Sequence, residues 1–573
     1  MGSVYLFFGF IAAWLCLQST PEIESMHKLS WAFLLGLSTL GLSAKPPSSL
    51  RTIATFPLVG IKNWLVNWRS NRLSQNEQLA SCATRHLDDN PPPTGRVTVQ
   101  LFQWRYSDVG NECEAFLGPN GYRYVQISPP HEHIEGPQWW TDYQPVSYRI
   151  GSKRGSEAEF DAMVQRCASA GVGVIVDVVF NHMSAGSITE ARRGSAGSSY
   201  RKYEYSDASL HPFLYSLSST LTFPPFLTVV SGAISRSATT WTGTSEQSEN
   251  QSLRTKRHQT YGWVQNCELV GLADLKTSQR HVQNQLRRYL ARLVEKGVTG
   301  LRVDAAKHIP VRDLLDILRF VPLRVVQEIM YTGGEPIRPE EYSTVGRVHI
   351  FQAAYDLKRM FLSDGIAYLG HPVPWGPQWG DGYLPSSQSQ IFVTNWDLER
   401  NEHSIRIDQH AGPYLLCQVF ILTWGYGQVD VFSGFNFTAY DEAPQDPVAQ
   451  CGRFGWRCEH RHPMIIGAIQ LGAAASDEPV QNIVTSGAHR LAFSRGSKVF
   501  VAINNDDSDW LLEDVVVGLP LPASPGDAYR DRLHPSGDGQ LVHLQSDPSC
   551  GLTRLRPLSI PPRSAIGIMV FEQ

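Results

Sequence analysis

Three carboxylates stand where short apolar stretches run out. Asp304 closes Gly300-Leu-Arg-Val-Asp304, Glu328 closes Arg324-Val-Val-Gln-Glu328, and Asp397 follows Gln390-Ile-Phe-Val-Thr394 by way of Asn395 and Trp396. Period-two alternation along a strand puts Arg302 on the same face as Asp304, so a guanidinium accompanies the carboxylates. Two carboxylates about 5–5.5 Å apart are the equipment of a retaining glycosidase, one attacking the anomeric carbon and the other protonating the leaving oxygen. In that chemistry Arg302 keeps Asp304 ionised as the nucleophile, while a raised pKa keeps Glu328 protonated as the acid. A further aspartate, Asp177, lies near the end of an earlier apolar stretch and is followed by Asn181-His182. Asp177 alone could simply cap the next element; carboxylates at the ends of three separate strands are harder to explain as structural.

Such side chains need a scaffold that brings several strand ends to one rim. From Arg96 onward, short apolar strands alternate with amphipathic helical stretches. The strands are predicted over 96–104, 122–127, 172–179, 300–304, 324–328, 348–351, 390–394 and 418–422, with helices over 157–168 and 278–295. Alternation alone would also fit an open doubly wound sheet. Eight strands favour a closed (β/α)8 barrel of the α/β class, with its functional side chains at the C-terminal ends of the strands. After the third strand, 183–275 reads as an inserted domain, and its portion 206–255 holds 19 Ser or Thr in place of any helical or strand period. The text 490–494, 498–503 and 564–570, broken by Gly, Asp, Asn and Pro, predicts a C-terminal antiparallel β-sandwich. The expected organisation is a leader and linker over 1–94, a barrel over 95–182 and 276–460, the insertion over 183–275, and an all-β domain over 461–573.

Composition narrows the class. With 42% hydrophobic residues in 573, disorder over the whole length is excluded. A net charge of −4 gives no basic footprint, so no nucleic-acid partner is expected. The apolar runs 4–17 and 29–44 fall short of the roughly 18–20 residues that span a bilayer. The second run follows Met26-His27-Lys28 and ends in Leu42-Ser43-Ala44, the parts of a secretory signal peptide, so a secreted protein without a stable membrane partner is expected. Nine cysteines, an odd number, then imply disulfides and a leftover thiol; Cys451 and Cys458 are close enough to staple one loop. Asn250-Gln-Ser252 and Asn436-Phe-Thr438 fit N-glycosylation acceptors.

The segments Asp177-Val-Val-Phe-Asn-His182, Gly300-Leu-Arg-Val-Asp-Ala-Ala-Lys-His308, Gln327-Glu328 and Phe392-Val-Thr-Asn-Trp-Asp397 resemble the four signature regions of the α-amylase family of glycoside hydrolases. Val125-Gln-Ile-Ser-Pro-Pro130, Trp139-Trp-Thr-Asp-Tyr-Gln-Pro-Val-Ser-Tyr148 and Gln265-Asn-Cys-Glu-Leu-Val-Gly-Leu-Ala-Asp274 are similar to the animal, actinobacterial and fungal α-amylases. The resemblance covers about residues 95–573. It implies endo-acting hydrolysis of α-1,4 links in starch or glycogen with retention, by a monomer whose partner is the α-glucan. Asp304 would be the nucleophile, Glu328 the acid/base, and Asp397 the third carboxylate that grips sugar hydroxyls. Trp140, Tyr143, Gln144, His182, Lys307 and His308 match positions lining the sugar subsites, with Arg302 beside them. Asn181, Asp274 and the backbone carbonyls of Gln265 and His308 match the family's Ca2+ site.

Other positions depart from the family's pattern. Trp396 stands where most relatives carry His. Arg302 and Asn395 match two chloride ligands, but Gln428 and Asp430 occupy the neighbourhood of the third, basic one, so chloride activation is not expected. Cys113–Cys167 and Cys451–Cys458 match family disulfides, whereas the partner expected for Cys267 is missing from 183–266, where the Ser/Thr-rich stretch reads as a divergent insertion. Two other readings remain. One is a maltogenic or transglycosylating member of the family; the other is a non-catalytic, membrane-anchored amylase-like partner protein, a kind that has lost the catalytic carboxylates.

Overall fold

The computed structural model describes residues 97–205 and 261–570, apart from 523, 525–526, 535–538 and 549–550. The expectations for 1–94, for 206–255 and for Asn250 lie outside the described residues. Eight parallel strands close into a barrel in chain order: β1 (Val97–Leu101), β2 (Tyr124–Ile127), β3 (Gly173–Val179), β4 (Gly300–Asp304), β5 (Arg324–Gln327), β6 (Arg347–His349), β7 (Ser389–Phe392) and β8 (Gln428–Ser433). Strands covered on both faces read as continuous apolar runs. Accordingly Val174, Ile175, Val176, Val178 and Val179 of β3 are all buried.

Helix α1 (Tyr106–Glu112) follows β1, and α2 (Glu157–Ser169) precedes β3. Ser156 starts α2: its hydroxyl accepts from the Glu159 N–H at 3.3 Å, and the Glu159 carboxylate accepts from the Ser156 N–H at 2.8 Å. Helix α3 (Arg280–Glu295) buries Val282, Leu286, Tyr289, Leu290 and Leu293, the spacing of a single helix face. Both disulfides implied by the resemblance are present, Cys113–Cys167 and Cys451–Cys458. Cys267 and Cys417 have no disulfide partner among the described residues. Replacing both Cys113 and Cys167 with Ser releases a cross-link spanning 54 residues. The unfolding free energy should fall by about 2–4 kcal/mol, read as a lower urea midpoint; an unchanged midpoint would contradict this.

The eighth strand is not where the sequence pattern puts it. Residues 418–422 lie inside α5 (Ala411–Trp424), a helix buried on nearly every side, and the barrel closes on β8 instead. An all-round apolar run carries no helical stripe, so its period cannot separate helix from strand. The true strand is masked by its polar residues. Asp430 of β8 accepts from Gln100 of β1 at 2.9 Å and from Gln390 of β7 at 2.5 Å, and pairs with His349 of β6 at 2.9 Å. A buried acid bonded from three other strands reads, in the sequence, as loop.

Helix α6 (Pro463–Ala474) packs against α5. Beyond it, β9 (Val480–Thr485), β10 (Arg490–Arg495), β11 (Val499–Asn504) and β12 (Ser564–Met569) form an antiparallel sheet in that order. Alternation gives the sheet two faces. Leu491, Phe493, Val501 and Ile503 join the barrel's core, while Ala492, Phe500, Ala502, Ile566 and Ile568 pack with Trp510, Leu558 and Ile560 of a smaller sheet. Among the described residues no helix is long and apolar enough to cross a membrane.

Candidate active site

Strands β3 and β4 pair in parallel with Asp177 beside Arg302 and Val179 beside Asp304. The register carries an acid–base–acid set to the C-terminal rim. Arg302, 1% exposed, is its centre. Its Nη1 donates to Asp177 Oδ1 at 2.9 Å and to Asp304 Oδ1 at 2.6 Å, while Nη2 lies 2.6 Å from Glu328 Oε1. Glu328 Oε2 accepts from the Ala305 N–H at 2.8 Å. Ala305 sits at φ 47°, a left-handed conformation that costs an alanine about 1 kcal/mol and turns the chain sharply out of β4. Asp397 follows β7 in the first turn of α4 (Trp396–Arg400), where Asn395 Oδ1 caps the Leu398 N–H at 2.9 Å. No hydrogen bond reaches the Asp397 carboxylate among the described residues.

Arg302 therefore does not single out Asp304; one guanidinium serves three carboxylates. Burial, followed by the charge of Glu328, pushes the Asp397 carboxyl up to about 7. Burial likewise pushes Asp177 up to about 6, against the pull of Arg302. The Asp304 carboxyl is raised well above the usual range by burial, with Arg302 opposing and Glu328 adding to the rise. Burial is thus the largest cause in each of Asp177, Asp304 and Asp397, and it favours the protonated form of all three.

The other residues expected to bind sugar lie around this cluster, several already committed to protein partners. Tyr143 donates to Asp177 Oδ2 at 2.9 Å. The His182 Nε2 lies 3.0 Å from the Tyr143 carbonyl, and burial lowers its pKa to about 4, so its imidazole is neutral. Gln144 Oε1 accepts from the Ala185 N–H at 3.1 Å, and Trp140 Nε1 donates to Asp441 at 2.7 Å. Lys307 donates to the Met330 carbonyl at 2.6 Å and pairs with Glu335 at 3.1 Å.

Near this rim the chain at 181–183 runs antiparallel to 273–275, with Leu275 N–H donating to the Asn181 carbonyl at 2.9 Å and Met183 N–H to the Ala273 carbonyl at 2.8 Å. His308 Nδ1 lies 2.8 Å from the Val264 carbonyl, next to Gln265. Asp274 is 5% exposed and no hydrogen bond reaches its carboxylate among the described residues. Burial and then Glu268 push its carboxyl up to about 8. Among the described residues no three His, Cys, Asp or Glu side chains gather as a metal-binding group. The candidate donors here are instead one carboxylate with amide and carbonyl oxygens, the set that suits a hard divalent cation and would satisfy the unpartnered acid.

Sequence reasoning undervalued Asp177, which is fully buried under Arg302 rather than capping the next element. It missed Arg400, whose charge acts on Asp397 and whose guanidinium lies 4.3 Å from the Phe437 ring centre. The signal for Asp177 was the strand register; nothing in the local sequence marked Arg400.

Carboxylates at the ends of parallel barrel strands, two of them on neighbouring nitrogens of one guanidinium, define the class as a glycoside hydrolase. Residues 128–317 match the model of the alpha-amylase catalytic domain. An alpha-amylase of Streptomyces violaceus is 38% identical over 423 residues, covering 73% of this chain and 67% of the relative. An alpha-amylase-related protein of Drosophila pseudoobscura pseudoobscura is 33% identical over 488 residues, covering 78% of this chain and 88% of the relative. A glutamate-to-glutamine mutant of alpha-amylase I from Eisenia fetida, solved in complex with maltohexaose, superposes with a TM-score of 0.70 at 27% identity, covering 84% of this chain and 98% of that one. The chain belongs to the alpha-amylase family.

Proposed function

We propose that this protein is a secreted, monomeric, endo-acting α-amylase that hydrolyses internal α-1,4-glucosidic bonds of starch or glycogen with retention. The observation that carries the reading is the single guanidinium holding Asp304 and Glu328 on adjacent nitrogens. Asp304 attacks the anomeric carbon while Glu328 gives a proton to the departing glycosidic oxygen, leaving a glycosyl ester on Asp304. Glu328, now a carboxylate, takes a proton from water, which attacks the same carbon and frees Asp304. Asp397, its carboxylate unbonded, grips sugar hydroxyls and supports the oxocarbenium-like transition state. Trp140 and Tyr143 offer aromatic faces to the sugar; Gln144, His182, Lys307 and His308 offer polar groups. Incubation with soluble starch and calcium, following reducing ends and product sizes, tests this. Mixed oligosaccharides appearing early are expected; maltose alone, or lengthened chains, would instead indicate a maltogenic or transglycosylating enzyme, and no release would overturn the reading.

Family members generally bind calcium, and here Asn181, Asp274 and the backbone carbonyls of Gln265 and His308 would hold it, tying the insertion to the barrel. The ion supplies structural charge rather than a reaction step. Without it, the folded Asp274 carboxyl, raised to about 8, costs stability progressively as pH climbs from about 4, where the unfolded acid ionises, through 8. Calcium must displace that proton, so it should raise the melting temperature more at pH 8 than at pH 5. Asp274→Asn should abolish the shift and leave the calcium-free protein less sensitive to pH. An equal shift in Asp274→Asn would place the ion elsewhere.

A further inference from the structure

Arg302 is held in an unusual way. All its hydrogen bonds run to carboxylates, on Asp177, Asp304 and Glu328, and its buried Nε has no partner. Its other neighbour is Trp396, over whose ring the guanidinium carbon lies, 5.0 Å from the ring centre. Trp396 is 3% exposed and is itself fixed: it stacks on Phe102 at 4.9 Å and 1°, and lies 6.1 Å from Tyr143 at 30°. Phe102 in turn stacks on Phe435 at 5.8 Å and 3°, and Arg400 lies 5.4 Å from the Phe102 ring centre. An aromatic column therefore runs under the acids, with a guanidinium against Trp396 and another against Phe102.

We propose that Trp396 is a positioning residue: its ring, through a cation–π contact with Arg302, fixes the placement in which that guanidinium presents Asp304 and Glu328 to the substrate. The inference rests on the glycosidase reading above. Two of the carboxylates that Arg302 bonds, Asp304 and Glu328, change charge during the reaction, and the guanidinium would shift with them. The rigid, uncharged face of an indole gives it a reference that does not change. Desolvated cation–π contacts are strong enough to matter at this level.

The test compares kcat and KM on soluble starch for the wild type, Trp396→Leu and Trp396→Phe, each also in an Arg302→Lys background. Trp396→Leu should lower kcat about tenfold with KM within about twofold, and Trp396→Phe, which keeps a ring face, should stay within about threefold of wild type. In the Arg302→Lys background, which lacks the planar partner, the Leu substitution should cost less than about threefold. Should Trp396→Leu fail to fold, Trp396→Met carries the same expectation. An unimpaired kcat, a loss confined to KM, a Phe variant as poor as Leu, or the full tenfold loss in the Lys background would each overturn the proposal. A wild type that releases no reducing ends overturns the glycosidase reading and this proposal with it; an active wild type with an unimpaired Leu variant overturns this proposal alone.

Discussion

Asp304→Asn should lower kcat on soluble starch by about 10⁵-fold and Glu328→Gln by about 10³-fold. The larger loss belongs to the group that forms the covalent bond, because water has no other route to the same stereochemical result. The two variants should separate on α-maltosyl fluoride, whose leaving group needs no proton. Glu328→Gln should then give a burst of about one fluoride per active site followed by slow turnover, since the glycosyl ester forms but its hydrolysis lacks a base. Asp304→Asn should give no burst. The reverse pattern would exchange the two roles, although Arg302 touches both acids at 2.6 Å and does not by itself distinguish them.

Arg302→Met should be nearly as damaging to activity and more damaging to the fold. The side chain is 1% exposed and is the shared partner of Asp177, Asp304 and Glu328. Removing one partner from a buried charge cluster costs about 3–5 kcal/mol, because the charges left behind remain desolvated. The sign with pH follows from linkage. Arg302 opposes the burial-driven rise of Asp304 and Asp177, so without it their folded-state pKa values climb further. Below about pH 4 the acids are protonated in both the folded and unfolded states and the variant's penalty is small. As pH rises through the folded-state values the penalty grows to its full size. Urea midpoints at pH 5 and 8 should diverge more for Arg302→Met than for wild type, and the acid limb of kcat/KM should move to higher pH. A penalty of equal size at both pH values would show that Arg302 holds the fold through packing rather than charge.

The rim carboxylates were legible because strands β4 and β5 are short, apolar and regular, so that period two alone fixes which side chains face inward. Their shared guanidinium was legible for Asp304, two residues away on the same strand, but not for Glu328, because the pairing register that sets Val326 of β5 opposite Arg302 is not written in either strand alone. Strand β8 was hidden by the buried polar residues Gln428 and Asp430, the second of which is bonded from β1, β6 and β7. The residues matched to sugar subsites are present, but Tyr143, Gln144, His182 and Lys307 are partly used within the protein, which no spacing rule reveals. Trp396 stood out only as a departure from the family's pattern. Its contact with Arg302 depends on α4 following β7 directly behind the Asn395 cap.

The most direct test of the central claim, that Asp304 and Glu328 act by double displacement, is the anomeric form of the first products. Proton NMR of maltohexaose hydrolysis, recorded before mutarotation equilibrates the ends, should show the α-anomer appearing first. An initial β-anomer would mean that water attacks directly, with Asp304 acting as a base rather than a nucleophile.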